Sequence, residues 1–336
     1  MSLITCHSSL VIDMAIQTQP LRKNQPAALR QFLIDYGVYI SFALLLVIAA
    51  VISPEIYSAN TLFLILRQAS QLGLVAIGQT LVMLIGGLDL SVTGVIVLTS
   101  VVIAEVGAGQ NSLILPGVLL ALGLGIIIGL GNGWLITKRN VPPFVATLGM
   151  LVLVRGAQLA HTKGIPSGQV PAGMGVLSAA WGPIPVSFLL WVVINLILGF
   201  TLYATPFGRR LYAVGSNREA ARLSGIRVDA LLVTVYVLCS VMAVLAGVVL
   251  SGYVGYVDRY LGRGFDLDSI TAAVVGGVAF SGGRGNLIGT MAGVLLVQFL
   301  SSLMLVLGLD VQAQLIVKGL VVIGAVALYS GFARNP

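Results

Sequence analysis

Leu119-Leu-Ala-Leu-Gly-Leu-Gly-Ile-Ile-Ile-Gly-Leu130 contains no polar side chain. A strand of a membrane β-barrel alternates apolar and polar residues over roughly ten positions. This run does not alternate, so a barrel is excluded. With its flanks the apolar stretch extends from 113 to 136, enough for a helix to cross the hydrocarbon layer, which takes about 20 residues. Composition carries the reading to the whole chain. Of 336 residues, 58% are hydrophobic and only 9% charged, and the mean hydropathy is +1.04. A soluble domain carries about 25% charged residues. A soluble enzyme, a disordered chain and a nucleic-acid-binding domain are therefore excluded. The expected fold class is an all-α polytopic membrane protein.

Working outward from 113–136, the same criterion predicts spans at 34–53, 61–86, 91–107, 143–161, 184–204, 229–252, 267–280, 287–307 and 313–331. That makes about ten, with 86–91 a candidate re-entrant break and 267–280 short. Residues 1–33 have no basic n-region, apolar core or cleavage site of a signal peptide. They read as a cytoplasmic tail in which Met14 is an alternative start. Residues 34–331 form the transmembrane domain and 332–336 a second cytoplasmic tail. With the N-terminus inside, Arg22, Lys23, Arg30, Lys138, Arg139, Arg209, Arg210, Arg218, Arg222, Arg227, Arg284 and Arg334 are cytoplasmic. These are two thirds of the 18 basic residues, as the positive-inside rule requires. Gly125, Gly129 and Gly133, and likewise Gly285, Gly289 and Gly293, recur every fourth residue, a spacing that lets helices approach closely in lipid.

The polar insert at 205–228 carries five arginines between two spans. Ser216 and Glu219 form the S-x-x-E pattern of a capping box, and Gly225 stands where a helix terminator belongs. A helix of about two turns is expected between them, with Ala220, Ala221 and Leu223 as its apolar component. So short a helix is unstable alone in water and must dock. It either lies on the membrane surface with its arginines at anionic headgroups, or inserts into a groove on a soluble partner.

The run Gly208-Arg209…Tyr212-Ala-Val-Gly215-Ser216-Asn217-Arg218-Glu219-Ala220-Ala221-Arg-Leu-Ser-Gly225-Ile226 resembles the coupling loop of ribose-type ABC sugar permeases. Three further stretches resemble the same family in the same order: Gly86-Gly-Leu-Asp89-Leu-Ser91-Val, Pro143-Phe-Val-Ala-Thr147-Leu-Gly149 with Arg155-Gly156, and Gly264-Phe-Asp-Leu-Asp268-Ser-Ile through Gly277 to Ser281-Gly-Gly-Arg-Gly285. The likeness covers about residues 35–331, with departures at Thr93 and Val278. It implies an importer-type permease fold in the bacterial inner membrane with both termini cytoplasmic. It also implies pairing with a second permease copy or paralogue, two cytoplasmic ATPase subunits and a periplasmic sugar-binding protein. The chain has no Gly-Lys dipeptide and hence no phosphate-binding loop. ATP and Mg would be bound by the partner ATPase, with no cofactor in this chain.

Other polar residues have competing readings. Asp89 reads as a helix cap, a gate contact or an ion relay. Arg67 and Arg155 lie inside spans, either paired with Glu105 or lining a solute route, where Gln79 and Gln158 are further candidates. Asp258, Arg259, Arg263, Asp266 and Asp268 lie on the outer side, as caps ahead of the eighth span or as rim charges for a docking protein. Asp310 reads as a cap for the tenth span. Cys6 and Cys239, with His7 and His161, have no metal-ligand spacing.

Three function classes remain. An ATP-driven importer subunit leads. An ion-gradient-driven secondary transporter needs intramembrane carboxylates, and apart from the peripheral Asp89 and Glu105 the span interiors carry no acids. A membrane-embedded transferase needs clustered acids or histidines on the inner side, where a single Glu lies in the inner loops.

Overall fold

The computed structural model describes residues 26–165, 167–258 and 260–333. Of the expected tails at 1–33 and 332–336, residues 1–25 and 334–336 lie outside the described residues, as do Pro166 and Arg259, while 26–33 and 332–333 belong to helices. Among the described residues the regular structure is helical apart from a small hairpin that pairs Ala180 with Pro185 and Trp181 with Ile184. Its α-helices are α1 (Pro26–Ile52), α2 (Ala59–Leu84), α3 (Val92–Gly107), α4 (Ile114–Lys138), α5 (Pro143–Thr162) and α6 (Val186–Ala204). There follow α7 (Pro206–Ser216), α8 (Arg218–Leu223), α9 (Val228–Val254), α10 (Phe265–Val275), α11 (Leu287–Val306) and α12 (Val311–Ala333).

Among the described residues, six segments are long and apolar enough to cross a membrane: α2, Asn111–Lys138 with α4, α5, α6, α9 and α11. Helix α3 has 16 residues and is therefore about 24 Å long at 1.5 Å per residue, short of a hydrocarbon layer of about 30 Å. Helix α10, with 11 residues, is shorter still. The expected break appears: α2 ends at Leu84 and residues 85–91 run without helix to α3. Asp266 and Asp268 lie inside the first turn of α10, which starts at Phe265, two residues before the expected span start, after Gly264 at φ +89°.

The core is a contiguous cluster centred on α2, α3 and α9, with α4, α10 and α11 around it. Helices α4, α5 and α6 instead turn large apolar side chains outward, among them Leu119, Ile127, Val152, Leu153, Leu196 and Phe200. In a membrane those faces meet acyl chains.

Small residues set how closely these helices pack. A Cβ on Gly129 would lie 2.6 Å from Val237 Cα, and one on Gly133 2.8 Å from Val233 Cα. The stripe on α4 thus seats α9 almost backbone to backbone, as the four-residue spacing predicts. On α11, Gly289 and Gly293 likewise admit the carbonyls of Gly276 and Ala272 at the end of α10.

Candidate functional site

The insert at 205–228 folds as two short helices meeting at a corner. Thr205 caps α7, its hydroxyl accepting from Phe207 N–H at 3.2 Å, and Pro206 occupies the first helical position, where a missing N–H costs nothing. Helix α7 ends at Ser216, and Asn217 N–H closes it onto Ala213 O. Asn217 then turns to extended geometry (φ −160°, ψ 107°), and its side-chain oxygen accepts from Glu219 and Ala220 N–H, each at 3.0 Å.

The expected capping box between Ser216 and Glu219 is therefore corrected. An N-cap needs non-helical backbone. Ser216 is still helical, and its hydroxyl donates to Tyr212 O at 2.9 Å. The cap shifts one residue on, to Asn217. The end of α8 matches expectation: Gly225 sits at φ +80°, and Ile226 N–H reaches back to Ala221 O at 3.1 Å, the glycine-terminated C-cap.

Helix α8 is six residues, shorter than expected, and exposed along its length except for Ala221. Glu219, Ala220 and Arg222 face outward, and Leu223 keeps 86% of its surface exposed. Two contacts fix the corner to the bundle. Arg222 and Lys138 each reach Asp229 at the start of α9, both at 3.0 Å. Arg218 Nη2 donates to Ile85 O at 2.8 Å, just past the end of α2. Gly208 and Gly215 are places of close approach, where a Cβ would strike Leu202 O and Leu84 O respectively. Burial of the Tyr212 ring raises the pKa of its phenol, and the hydroxyl donates to Gly285 O at 2.7 Å.

At the opposite end of the bundle a cavity of about 570 Å³ opens between α3, α5 and residues 260–263. It brings together three sequence candidates, Arg155, Gln158 and Arg263, with Tyr260 and Thr162 over a floor of Val97, Val101 and Leu261. Gln158 Nε2 is held on Gly94 O at 2.9 Å, and Arg155 reaches Thr93 Oγ1 at 3.5 Å.

The other candidates lie elsewhere. Arg67 stacks its guanidinium 4.0 Å from the centroid of the Tyr253 ring. Glu105 partners neither arginine; it pairs with His161 at 2.7 Å. Gln79 is fully buried within α2. Asp89 is fully buried too, and accepts from Ser91 N–H at 2.8 Å in the turn before α3. The N-cap position is Ser91, without a side-chain cap bond, so the expected cap at Asp89 is corrected to a bond within that turn. Asn132 donates to Ser91 Oγ at 2.9 Å, which joins α4 to the same turn. Asp258 and Asp266 accept from backbone N–H groups of Tyr260 and Leu267, Asp268 pairs with Lys318 of α12 at 2.8 Å, and Asp310 caps α12 through Ala313 N–H at 2.7 Å.

A family described as the permease component of branched-chain amino acid transport systems matches residues 61–326. The chain belongs to this permease family. The ribose import permease protein of Escherichia coli K12 is 36% identical over 306 residues, covering 88% of this chain and 94% of the relative. That of Bacillus subtilis is 36% identical over 295 residues, with coverage of 87% and 91%. The fructose import permease protein of Rhizobium meliloti is 32% identical over 293 residues, covering 84% and 81%. No solved structure matches the chain.

As a member of this permease family, the protein is an integral membrane component of an ABC-type importer and a transport subunit rather than an enzyme. Sequence reasoning missed Asn217 as the cap, Tyr212 as a tie, and helix α7 altogether. The Thr205-Pro206 pair was a readable start signal for α7.

Proposed function

We propose that this chain is the membrane-spanning permease subunit of a binding-protein-dependent, ATP-driven importer for a monosaccharide or sugar-like solute. Helix α8 carries the reading. It is capped at both ends, tied by Arg218 and Arg222, and turns its outer face to solvent, the form of an element built to be gripped. The solute class rests on relatives named for ribose, fructose and autoinducer 2 import.

In this reading the end of the bundle that bears Lys138, Arg139, Arg209, Arg210, Arg218, Arg222, Arg227 and Arg284 faces the cytoplasm, together with both termini, and residues 34–331 make about ten crossings. Two ATPase subunits, holding ATP and Mg, grip α8 and its counterpart in a second permease copy or paralogue. A periplasmic sugar-binding protein docks at the other end through Asp258, Arg259, Arg263, Asp266 and Asp268, of which Arg263 lines the cavity. The cavity with Arg155 and Gln158 is the first station for solute. Guanidinium and amide groups suit hydroxyl acceptors there. Gln79, Arg67 and Asp89 shape the route from within. Membrane lipids cover α4, α5 and α6.

The test is reconstitution in sealed vesicles with the ATPase and the solute-loaded binding protein. Uptake is expected to require ATP and to survive an ionophore. Uptake without ATP, abolished by the ionophore, would instead mark a secondary transporter.

A further inference from the structure

Helix α2 ends in an unusual debt of carbonyls. Gly86 N–H bonds Met83 O at 2.8 Å and Gly87 N–H bonds Val82 O at 2.9 Å, so its own C-cap serves those two groups. That leaves the oxygens of Leu84 and Ile85 without helical donors. Neither is left to solvent. Gly283 N–H reaches Leu84 O at 2.9 Å, and Arg218 Nη2 reaches Ile85 O at 2.8 Å. The first donor comes from the α10–α11 loop, the second from the first residue of α8. A cation at the negative end of a helix gains further from the helix dipole.

The same three segments interlock sterically. Gly215, in the last turn of α7, presses on Leu84 O closely enough that a Cβ would collide. A Cβ on Gly282 would lie 2.8 Å from Gly86 N and 2.9 Å from Gly215 O, and one on Gly283 2.6 Å from Ser216 Oγ. Gly282 (φ +83°) and Gly283 (φ +71°) occupy left-handed conformations that side chains disfavour. Tyr212 adds the bond from α7 to Gly285 O. A joint whose backbones meet this closely and whose backbone groups are bonded transmits displacement instead of absorbing it.

We propose that Arg218, with Tyr212, Gly215, Gly282 and Gly283, forms a stiff joint that passes movement of α8 directly to the end of α2 and to the α10–α11 loop. Helix α2 is the buried axis of the core, and α10 packs on both α2 and α11. A push on α8 therefore enters the bundle along two elements at once. Arg218 is a positioning residue, acting on α2 through its carbonyl and not on solute. The proposal rests on α8 being the ATPase grip.

The experiment uses the permease–ATPase complex in vesicles with the loaded binding protein, and reads solute moved per ATP hydrolysed. In Arg218→Met the ATPase stays bound and hydrolysis persists, while solute per ATP falls about tenfold, the loss expected for a charged hydrogen bond. Arg218→Lys, which still donates, recovers part of the ratio. Tyr212→Phe, which keeps the ring and removes one bond, lowers the ratio by about threefold and guards against an Arg218 variant that fails to fold. An unchanged ratio in both Arg218→Met and Tyr212→Phe overturns the proposal. Arg218→Met that loses the ATPase altogether also overturns it, by making Arg218 a docking residue. Failure of the unmodified chain to hold the ATPase overturns the docking reading instead.

Discussion

Gly129 of α4 lies against Val237 of α9 so closely that a single methyl group would sit 2.6 Å from Val237 Cα and 2.9 Å from Tyr236 O. Both obstacles are backbone or bonded to it, so neither can swing away. Gly123, on the same helix, has nothing within 4 Å of its Cβ position.

Gly129→Ala is therefore expected to destabilise the protein by about 2 kcal/mol, the usual cost of overpacking. Gly123→Ala should be neutral or slightly stabilising, since alanine favours helix. Thermal unfolding of the detergent-solubilised protein, followed by circular dichroism, checks the pair. Equal behaviour of the two variants would mean that α4 and α9 do not meet along this stripe.

Asn217 supplies the only side-chain bonds to the first turn of α8 among the described residues. Asn217→Ala should cost about 1 kcal/mol of local helix stability and weaken ATPase binding about fivefold, since the helix must be ordered before it is gripped. Asn217→Asp keeps an acceptor and should bind nearly normally. Ser216→Ala should have little effect, which separates the observed cap from a box starting at Ser216. Titration of the permease with purified ATPase reads all three.

Asp229 holds Lys138 and Arg222 together, but both cations are largely exposed. Exposed pairs of this kind contribute under about 1 kcal/mol. Asp229→Asn is expected to shift the unfolding midpoint only slightly at low salt. The shift should disappear at high salt, where the pairs are screened.

Arg155→Ala should raise the solute-loaded binding protein concentration that gives half-maximal uptake, or slow uptake, by roughly tenfold. ATPase binding at the far end of the bundle should stay unchanged. Gln158→Ala should behave alike and more mildly, because its amide is already held on Gly94 O. Uptake assays beside co-purification of the ATPase separate the two readouts.

Much of the architecture could be read from side-chain pattern. Runs such as 119–130 announced helices, four-residue glycine spacing announced close helix packing without naming the partner, and Gly225 announced the end of α8. What escaped was carried by backbone groups or by distance along the chain. Nothing in the order of side chains says that the Ile85 carbonyl waits for a donor 133 positions away. Ser216 and Asn217 are both good caps, and only the helical backbone of Ser216 decides between them. Glu105 was matched to arginines because charge alone was visible, whereas the fold brings His161 to it across α3 and α5.

The most direct measurement is co-purification of the ATPase with Ala220→Trp and Glu219→Lys, each altering the outward face of α8 without touching the core. The account predicts proteins that unfold at the same temperature as the unmodified chain yet emerge from affinity chromatography without ATPase and import no solute. Variants that retain the ATPase and import at the normal rate would contradict it.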